Sequence, residues 1–248
     1  MVEVNKIYNM DCLEGMKSLP DGLVNLIVTS PPYNVGLDYN GYDDTKPYDE
    51  YLAWMEDIFF ECKRVLAEDG RICINVGDAK NGKITTHSDF IQIMKKLGFY
   101  PLTTIIWNKN TTSNRAAWGS FMSPTCPSFP RCFEYILIFS KTPKLTHTGE
   151  STISKEDFIS WSNGTWNMNT EKVSKIGHPA AFPVELPTRC IEMLTFKDDV
   201  VMDPFMGSGS TAIACQNTGR HYIGFELDKT YYDIACRRIL ENTSEKLF

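Results

Sequence analysis

The sequence predicts an α/β fold: a mainly parallel sheet with helices on both faces. Short apolar runs of strand length alternate along the chain with amphipathic stretches of helix length, the pattern of a sheet whose crossovers are helices. Several of those runs are apolar throughout, as strands covered on both faces are. Two segments rich in backbone-shaping residues, Thr29–Asn34 and Asp203–Thr211, each follow directly on such a run.

The elements follow in order. Val24–Val28 is a buried strand, and Ser30-Pro31-Pro32 ends it, because proline lacks an N–H and holds the residue before it extended. Gly36 to Lys46 is polar and reads as a loop. From Pro47 to Leu66, apolar residues recur at helical spacing (Tyr51, Trp54, Met55, Ile58, Phe59, Cys62, Val65, Leu66), and Asp69-Gly70 is the expected stop. Strands are expected at 71–76, 100–108, 134–140, 199–203 and 221–226, and helices at 88–97, 187–194, 210–216 and 229–241. The whole of 1–248 is expected to form a single domain. Residues 108–133 and 141–177 lack a strong period and are too long for plain connections. Loops of that size in a compact domain tend to carry function.

Composition excludes several classes. Hydrophobic residues make up 42% of the 248, enough for a packed core, and the formal charge of −6 argues against wholesale wrapping of nucleic acid. No run of 18 apolar residues suggests a membrane span, and the first residues lack the basic head and apolar run of a secretory signal. A cytoplasmic protein is therefore expected. The eight cysteines are scattered with no CxxC, and the four histidines are dispersed, so no metal site is expected. Locally the balance reverses: between 107 and 144 stand Lys109, Arg115, Arg131, Lys141 and Lys144 against one acid, Glu134. That is the best candidate for phosphate contacts.

Near the C-terminus, Val200–Asp203 is a strand, Gly207 and Gly209 permit a tight turn, and Ser210-Thr211 opens a helix. The free N–H groups of a helix start can donate to a carboxylate. Glu226 ends the next strand, where an acid can grip ribose hydroxyls. The loop has neither GxxxxGK[ST] nor a lysine, so a ligand with ribose and carboxylate but no phosphate fits better than a nucleotide. S-adenosylmethionine is one. Near the N-terminus, Ser30 Oγ and the Pro31 carbonyl are neighbouring acceptors held rigid by two prolines, and Tyr33 offers a flat face. An exocyclic amino group on a base is a poor nucleophile, and acceptors for its N–H bonds help it become tetrahedral. Such a base would have to be flipped out of a duplex. Attack at carbon 5 of cytosine is disfavoured, since no Pro-Cys dipeptide supplies the usual nucleophile.

Taken together, these motifs make the chain resemble the S-adenosylmethionine-dependent DNA amino-methyltransferases, a Rossmann-like methyltransferase fold. The order of motifs, catalytic first and cofactor last, is similar to their permuted β class. Tyr8–Leu13 is similar to the segment that contacts the cofactor's adenine, through Asp11 and Cys12. Ser30-Pro31-Pro32-Tyr33 is similar to the catalytic tetrapeptide. His178–Pro183 resembles the segment closing over the cofactor's methionine end, which brings in Phe182 and Pro183. Asp203–Thr211, including Phe205, matches the cofactor loop, and Phe225–Asp228 the ribose-binding strand end.

The resemblance implies double-stranded DNA as substrate, S-adenosylhomocysteine as product and a place in restriction–modification beside a cognate endonuclease. It also implies that 141–177, helped by 108–133, recognises the DNA sequence. Lys109, Arg115, Trp118, Arg131 and Lys141 are the expected DNA-binding residues, with Trp118 and Phe121 as wedges. So short a recognition segment leaves a monomer few contacts, which makes a homodimer an option. Ser30 leans toward cytosine N4 and leaves adenine N6 open. Methylation of RNA bases or of a protein glutamine is the alternative for such a tetrapeptide, although there the cofactor loop usually comes first. A non-catalytic DNA-binding partner would be expected to carry degenerate motifs.

Overall fold

The computed structural model describes residues 3–34, 46–110, 119–129, 131–171 and 182–245. Side chains that alternate along the strands divide the core in two. Ile72, Ile74 and Val76 face one side of the sheet with Leu137 and Phe139, while Cys73, Ile136 and Ile138 face the other. The strands are β1 (Lys6–Asn9), β2 (Val24–Thr29), β3 (Leu66–Val76), β4 (Tyr100–Asn108), β5 (Phe133–Ser140), β6 (Thr165–Asn167), β7 (Val200–Asp203) and β8 (His221–Glu226). They form one sheet in the order β1-β8-β7-β2-β3-β5-β4-β6. β5 pairs antiparallel with both β3 and β4, and every other pairing is parallel.

Helices α1 (Cys12–Lys17), α2 (Tyr48–Val65) and α3 (Thr86–Lys96) cover one face, where Met16, Tyr51, Met55, Phe59 and Phe90 are buried. Helices α5 (Glu185–Leu194), α6 (Ser210–Thr218) and α7 (Lys229–Glu245) cover the other, with Leu186, Cys190, Ala212, Ala235 and Ile239. Ala212, Ile213, Ala214 and Cys215 of α6 are all buried, as in a helix enclosed on every side. The short helix α4 (Lys155–Trp161) precedes β6.

The six expected strands are all present. The chain adds β1 and β6, which are the two edges of the sheet, and the short helices α1 and α4. Three or four residues pairing on one side only carry too little periodicity to stand out. Of the stretch 141–177, the described part up to 171 holds structure of its own, α4 and β6. One expectation is corrected. Helix α2 stops at Val65, and Asp69-Gly70 lies inside β3, where Val24 pairs Leu66 but Leu26 pairs Arg71. The backbone doubles on itself there: a β-carbon at Gly70 would sit 2.9 Å from the Ala67 carbonyl oxygen.

This topology gathers strand ends. Thr29, Val76, Asp203, Glu226 and Asn9 end their strands on the edge where Phe133 begins β5. Between β2 and β7 the chain diverges, β2 leading to β3 on one side and β7 to β8 on the other. Doubly wound sheets bind ligands at such a point.

Helix α1 packs tightly on β8. A β-carbon on Gly15 would lie 2.2 Å from the ring of Phe225, which is fully buried. Gly15→Ala gains up to ~1 kcal/mol of helix propensity, but overpacking costs about 1–3 kcal/mol. The variant is expected to be less stable by about 1–2 kcal/mol in urea unfolding; equal or greater stability would show that α1 can shift off the sheet.

Candidate active site

The turn after β7 begins from a buried acid. Asp203 is 1% exposed. Its Oδ1 accepts from Thr29 Oγ1 at 2.8 Å and from the Phe205 N–H at 3.0 Å, and its Oδ2 accepts from Thr211 Oγ1 at 2.7 Å. Burial pushes its carboxyl up to about 6, against the pull of those three donors. Both oxygens are thus engaged within the protein, and Asp203 shapes the site from beneath. The loop then needs glycine. Gly209 has φ +85° as it enters α6, and a β-carbon there would lie 3.1 Å from Ala235 Cβ and 3.2 Å from Ala235 Cα in α7.

Glu226 closes the loop from the next strand. Its Oε2 accepts the Gly207 N–H at 2.8 Å and its Oε1 the Asp228 N–H at 2.9 Å. Burial raises its pKa, and those two amides pull it back. A carboxylate offers about four lone-pair positions, so capacity remains for hydroxyl donors. Ser210 Oγ donates to the Phe182 carbonyl at 3.1 Å, which brings the buried Phe182-Pro183 pair onto the start of α6. Phe205 meets Trp54 of α2 edge-on at 5.7 Å. Asp11 caps α1, accepting from the Leu13 N–H at 2.9 Å and the Glu14 N–H at 3.2 Å. Beside it the buried Cys12 thiol is pushed up to about 12, mainly by burial and then by the Asp11 charge, which makes it inert as a nucleophile.

The tetrapeptide follows β2 directly. Tyr51 of α2 donates to the Pro32 carbonyl at 2.7 Å and so pins the loop. Ser30 Oγ lies 3.0 Å from Tyr33 Oη, and Tyr33 Oη donates to Glu134 Oε2 at 3.1 Å. Asn75 Nδ2 donates to Glu134 Oε2 at 2.7 Å and to Tyr33 Oη at 2.9 Å, and reaches Ser30 Oγ at 3.4 Å. Lys109 closes the cluster with an ion pair to Glu134 Oε1. Sequence reasoning missed Asn75 and Glu134. Their signal was a polar group set in or beside an apolar strand, where burial is costly without a partner.

The expected DNA-binding residues divide. Lys109 lies beside the tetrapeptide. Arg131 lies on the same edge, paired with Asp78. Lys141 does not belong with them. It follows Ser140, which pairs with Arg71 at the opposite end of the sheet, and its amine is taken by the Leu66 carbonyl at 2.7 Å and by Glu68 at 3.1 Å. Arg115, Trp118 and His178–Ala181 lie outside the described residues. Phe121 and Met122, 66% and 90% exposed, form the tip of a small loop closed by the Ser120 N–H on the Cys126 carbonyl. Five of the eight cysteines are buried, while Cys126 and Cys132 are exposed. Among the described residues no helix is long and apolar enough to cross a membrane, and no group of His, Cys, Asp and Glu is arranged to hold a metal.

The Asp203 pKa fixes a sign for stability. Its folded value, about 6, lies above the ordinary 3.8, so the folded chain holds that proton more tightly than the unfolded chain. The resulting stabilisation is complete below about pH 4 and is lost as pH rises through about 6, a change of about 3 kcal/mol. Urea unfolding of the wild type from pH 4 to 7 should therefore lose about 2.5 kcal/mol more than that of Asp203→Asn. Parallel pH profiles for the two would contradict a buried, proton-retaining Asp203.

Comparison with known proteins agrees with this geometry. A family model described as DNA methylase, of the N6/N4 methyltransferase group, matches residues 24–237. Over 161 residues the chain is 44% identical to the type II methyltransferase M.MjaVI of Methanocaldococcus jannaschii, covering 64% of this chain and 83% of that one. It is 30% identical to M.BglII of Bacillus subtilis over 94% of this chain and 68% of that one. Among solved structures, TTHA0409 from Thermus thermophilus in complex with S-adenosyl-L-methionine superposes with a TM-score of 0.75 at 30% identity, over 95% of both chains. The cytosine-N4-specific PvuII methyltransferase shares the fold, with a TM-score of 0.75 at 22% identity over 98% of this chain and 93% of that one. The chain belongs to the N6/N4 DNA methylase family.

Proposed function

We propose that this chain transfers a methyl group from S-adenosylmethionine to the exocyclic amino nitrogen of a base flipped out of duplex DNA, cytosine N4 ahead of adenine N6. The observation that carries it is the join between the two motifs. Thr29, one residue before Ser30, is hydrogen-bonded to the acid that opens the glycine turn. A base at Ser30 and a methyl donor in the turn would thus be held by one rigid unit.

The residues of the turn suit such a donor. The φ +85° at Gly209 lets the backbone turn tightly into α6 against α7, and the start of α6 offers N–H groups to a carboxylate. Glu226 would accept the ribose hydroxyls, with Asp11 and Cys12 at the adenine end and Phe205, Phe182 and Pro183 as apolar walls. Gly207, Ser210 and Thr211 complete the cradle. When bound, S-adenosylmethionine supplies a methyl group on a positively charged sulfur, ready for in-line displacement. Ser30 Oγ and the Pro31 carbonyl accept the two amino N–H bonds. The Pro32 carbonyl, tied to Tyr51, keeps that geometry rigid, and Tyr33 steadies the base.

Lys109, Arg131 and, outside the described residues, Arg115 would meet phosphates. Residues 108–133 and 141–177 would read the sequence, with Trp118 and the Phe121–Met122 tip filling the gap a flipped base leaves. Ser30, commoner among cytosine-N4 enzymes, sets the order of the two bases. A cytoplasmic restriction–modification pair with a cognate endonuclease, and a homodimer on a symmetric site, complete the proposal.

The test is transfer of labelled methyl to mixed duplex DNA followed by nucleoside mass spectrometry. N4-methylcytosine is expected, and N6-methyladenine alone would reverse the choice of base. Ser30→Ala should slow transfer by roughly 10²–10³-fold, the usual effect of removing one preorganised polar contact, with S-adenosylmethionine affinity unchanged. A wild-type rate for that variant, or no methylated nucleoside at all, would overturn the proposal.

A further inference from the structure

Beyond the tetrapeptide, the cluster of Glu134, Asn75 and Lys109 has a direction. Hydroxyl groups can point either way along a chain of hydrogen bonds, so Ser30 can present a base with an acceptor or with a donor. Which it presents depends on the far end of the chain. That end is Glu134 Oε2, an acceptor when ionised, receiving Tyr33 Oη at 3.1 Å. Tyr33 has one proton, and with it given to Glu134, Tyr33 Oη can only accept from Ser30, 3.0 Å away. Ser30 then has spent its proton inward and turns lone pairs to the pocket.

Asn75 is locked to the same sense. Its amide nitrogen faces Glu134 Oε2 at 2.7 Å, where an amide oxygen would meet a negative oxygen. The turn is enforced even though it leaves Asn75 Oδ1 buried without a hydrogen-bond partner among the described residues. Asn75 is 2% exposed, and such an orphan is costly. The charged or titratable groups that face Glu134 among the described residues are Tyr33, from the loop after β2, and Lys109, from the end of β4.

We infer that Glu134, with Lys109 and Asn75, is the positioning group that makes Ser30 an obligate acceptor and thereby selects bases bearing an amino group over bases bearing a carbonyl. The inference rests on the role proposed above for Ser30. Lys109 makes the isosteric variant informative, because an ammonium has donors only. In Glu134→Gln the amide oxygen turns to Lys109 and the NH₂ group to Tyr33. Tyr33 Oη and Asn75 Nδ2 then both lose the acceptor that oriented them, so Ser30 is no longer held in the accepting sense.

The experiment compares wild type, Glu134→Gln, Tyr33→Phe and their double variant on the DNA site identified by nucleoside mapping. Single-turnover methyl transfer gives the rate. Fluorescence anisotropy gives affinity for duplexes carrying the target base or its carbonyl analogue (uracil for cytosine, hypoxanthine for adenine). Wild type should prefer the amino base by roughly tenfold or more. Glu134→Gln should lose that preference and at least about 100-fold in rate, while S-adenosylmethionine affinity stays within about twofold. The double variant should be no slower than the slower single variant, since both break one chain.

A wild-type preference and rate in Glu134→Gln, or strictly additive losses in the double variant, would overturn the inference. If Glu134→Gln fails to fold, Tyr33→Phe carries the test alone. It keeps the ring and removes the link, so retained selectivity there overturns the inference equally. Ser30→Ala separates the two levels. A normal rate in that variant sinks the role of Ser30 itself, whereas its loss beside a normal Glu134→Gln sinks only the role of Glu134.

Discussion

Asp203 carries three hydrogen bonds on a carboxylate with almost no contact with water, and the geometry of the site depends on it. Thr29 ends β2, Thr211 opens α6, and the Phe205 N–H belongs to the turn between them. A buried carboxylate is costly to leave unpaired, and hydrogen bonds to a charged group are worth about 1.5–3 kcal/mol each. Moving any one of these three segments strands part of that charge. The tetrapeptide and the glycine turn are consequently set in register, although 174 residues separate Thr29 from Asp203.

The sheet makes this meeting possible. β2 and β7 are neighbours, and the chain leaves their ends in opposite directions. The crevice at such a divergence is open to a ligand without any bulge or break in the sheet. From β8, Glu226 holds Gly207 and Asp228, and Asn9 on the edge strand β1 donates to the Glu226 and Leu227 carbonyls, each at 2.9 Å. On the far side, β5 is the strand that runs against its neighbours. That reversal is why Glu134, near the start of its strand, arrives beside Ser30. The direction of one strand thus decides which residue completes the polar cluster.

Much of this was legible in the chain. Central strands such as β2 and β5 are apolar on both sides, so both their length and their ends show in the composition. The turn around Gly207 and Gly209 and the acid at Glu226 could be placed because backbone chemistry demands those residues there. Edge elements were not legible, since β1 and β6 bury little and carry little pattern. Asp69-Gly70 resembled a helix stop but serves an irregularity inside β3, since a local turn signal does not say which element it interrupts. Lys141 and Lys109 look alike in a list of basic residues. Only the antiparallel course of β5 puts one at each end of the sheet. Glu134 looked like the lone acid of a basic stretch, and its importance comes from partners on three other segments.

The central claim is that one buried carboxylate makes the two motifs a single unit. Its most direct test is S-adenosylmethionine binding by calorimetry in Thr29→Val, a change on β2 that removes one donor to Asp203 and leaves every residue of the glycine turn in place. Coupling through Asp203 predicts that affinity falls about tenfold, equivalent to ~1.4 kcal/mol, in a chain that remains folded. An affinity equal to that of the wild type would mean that the two loops are held independently, and would contradict the account.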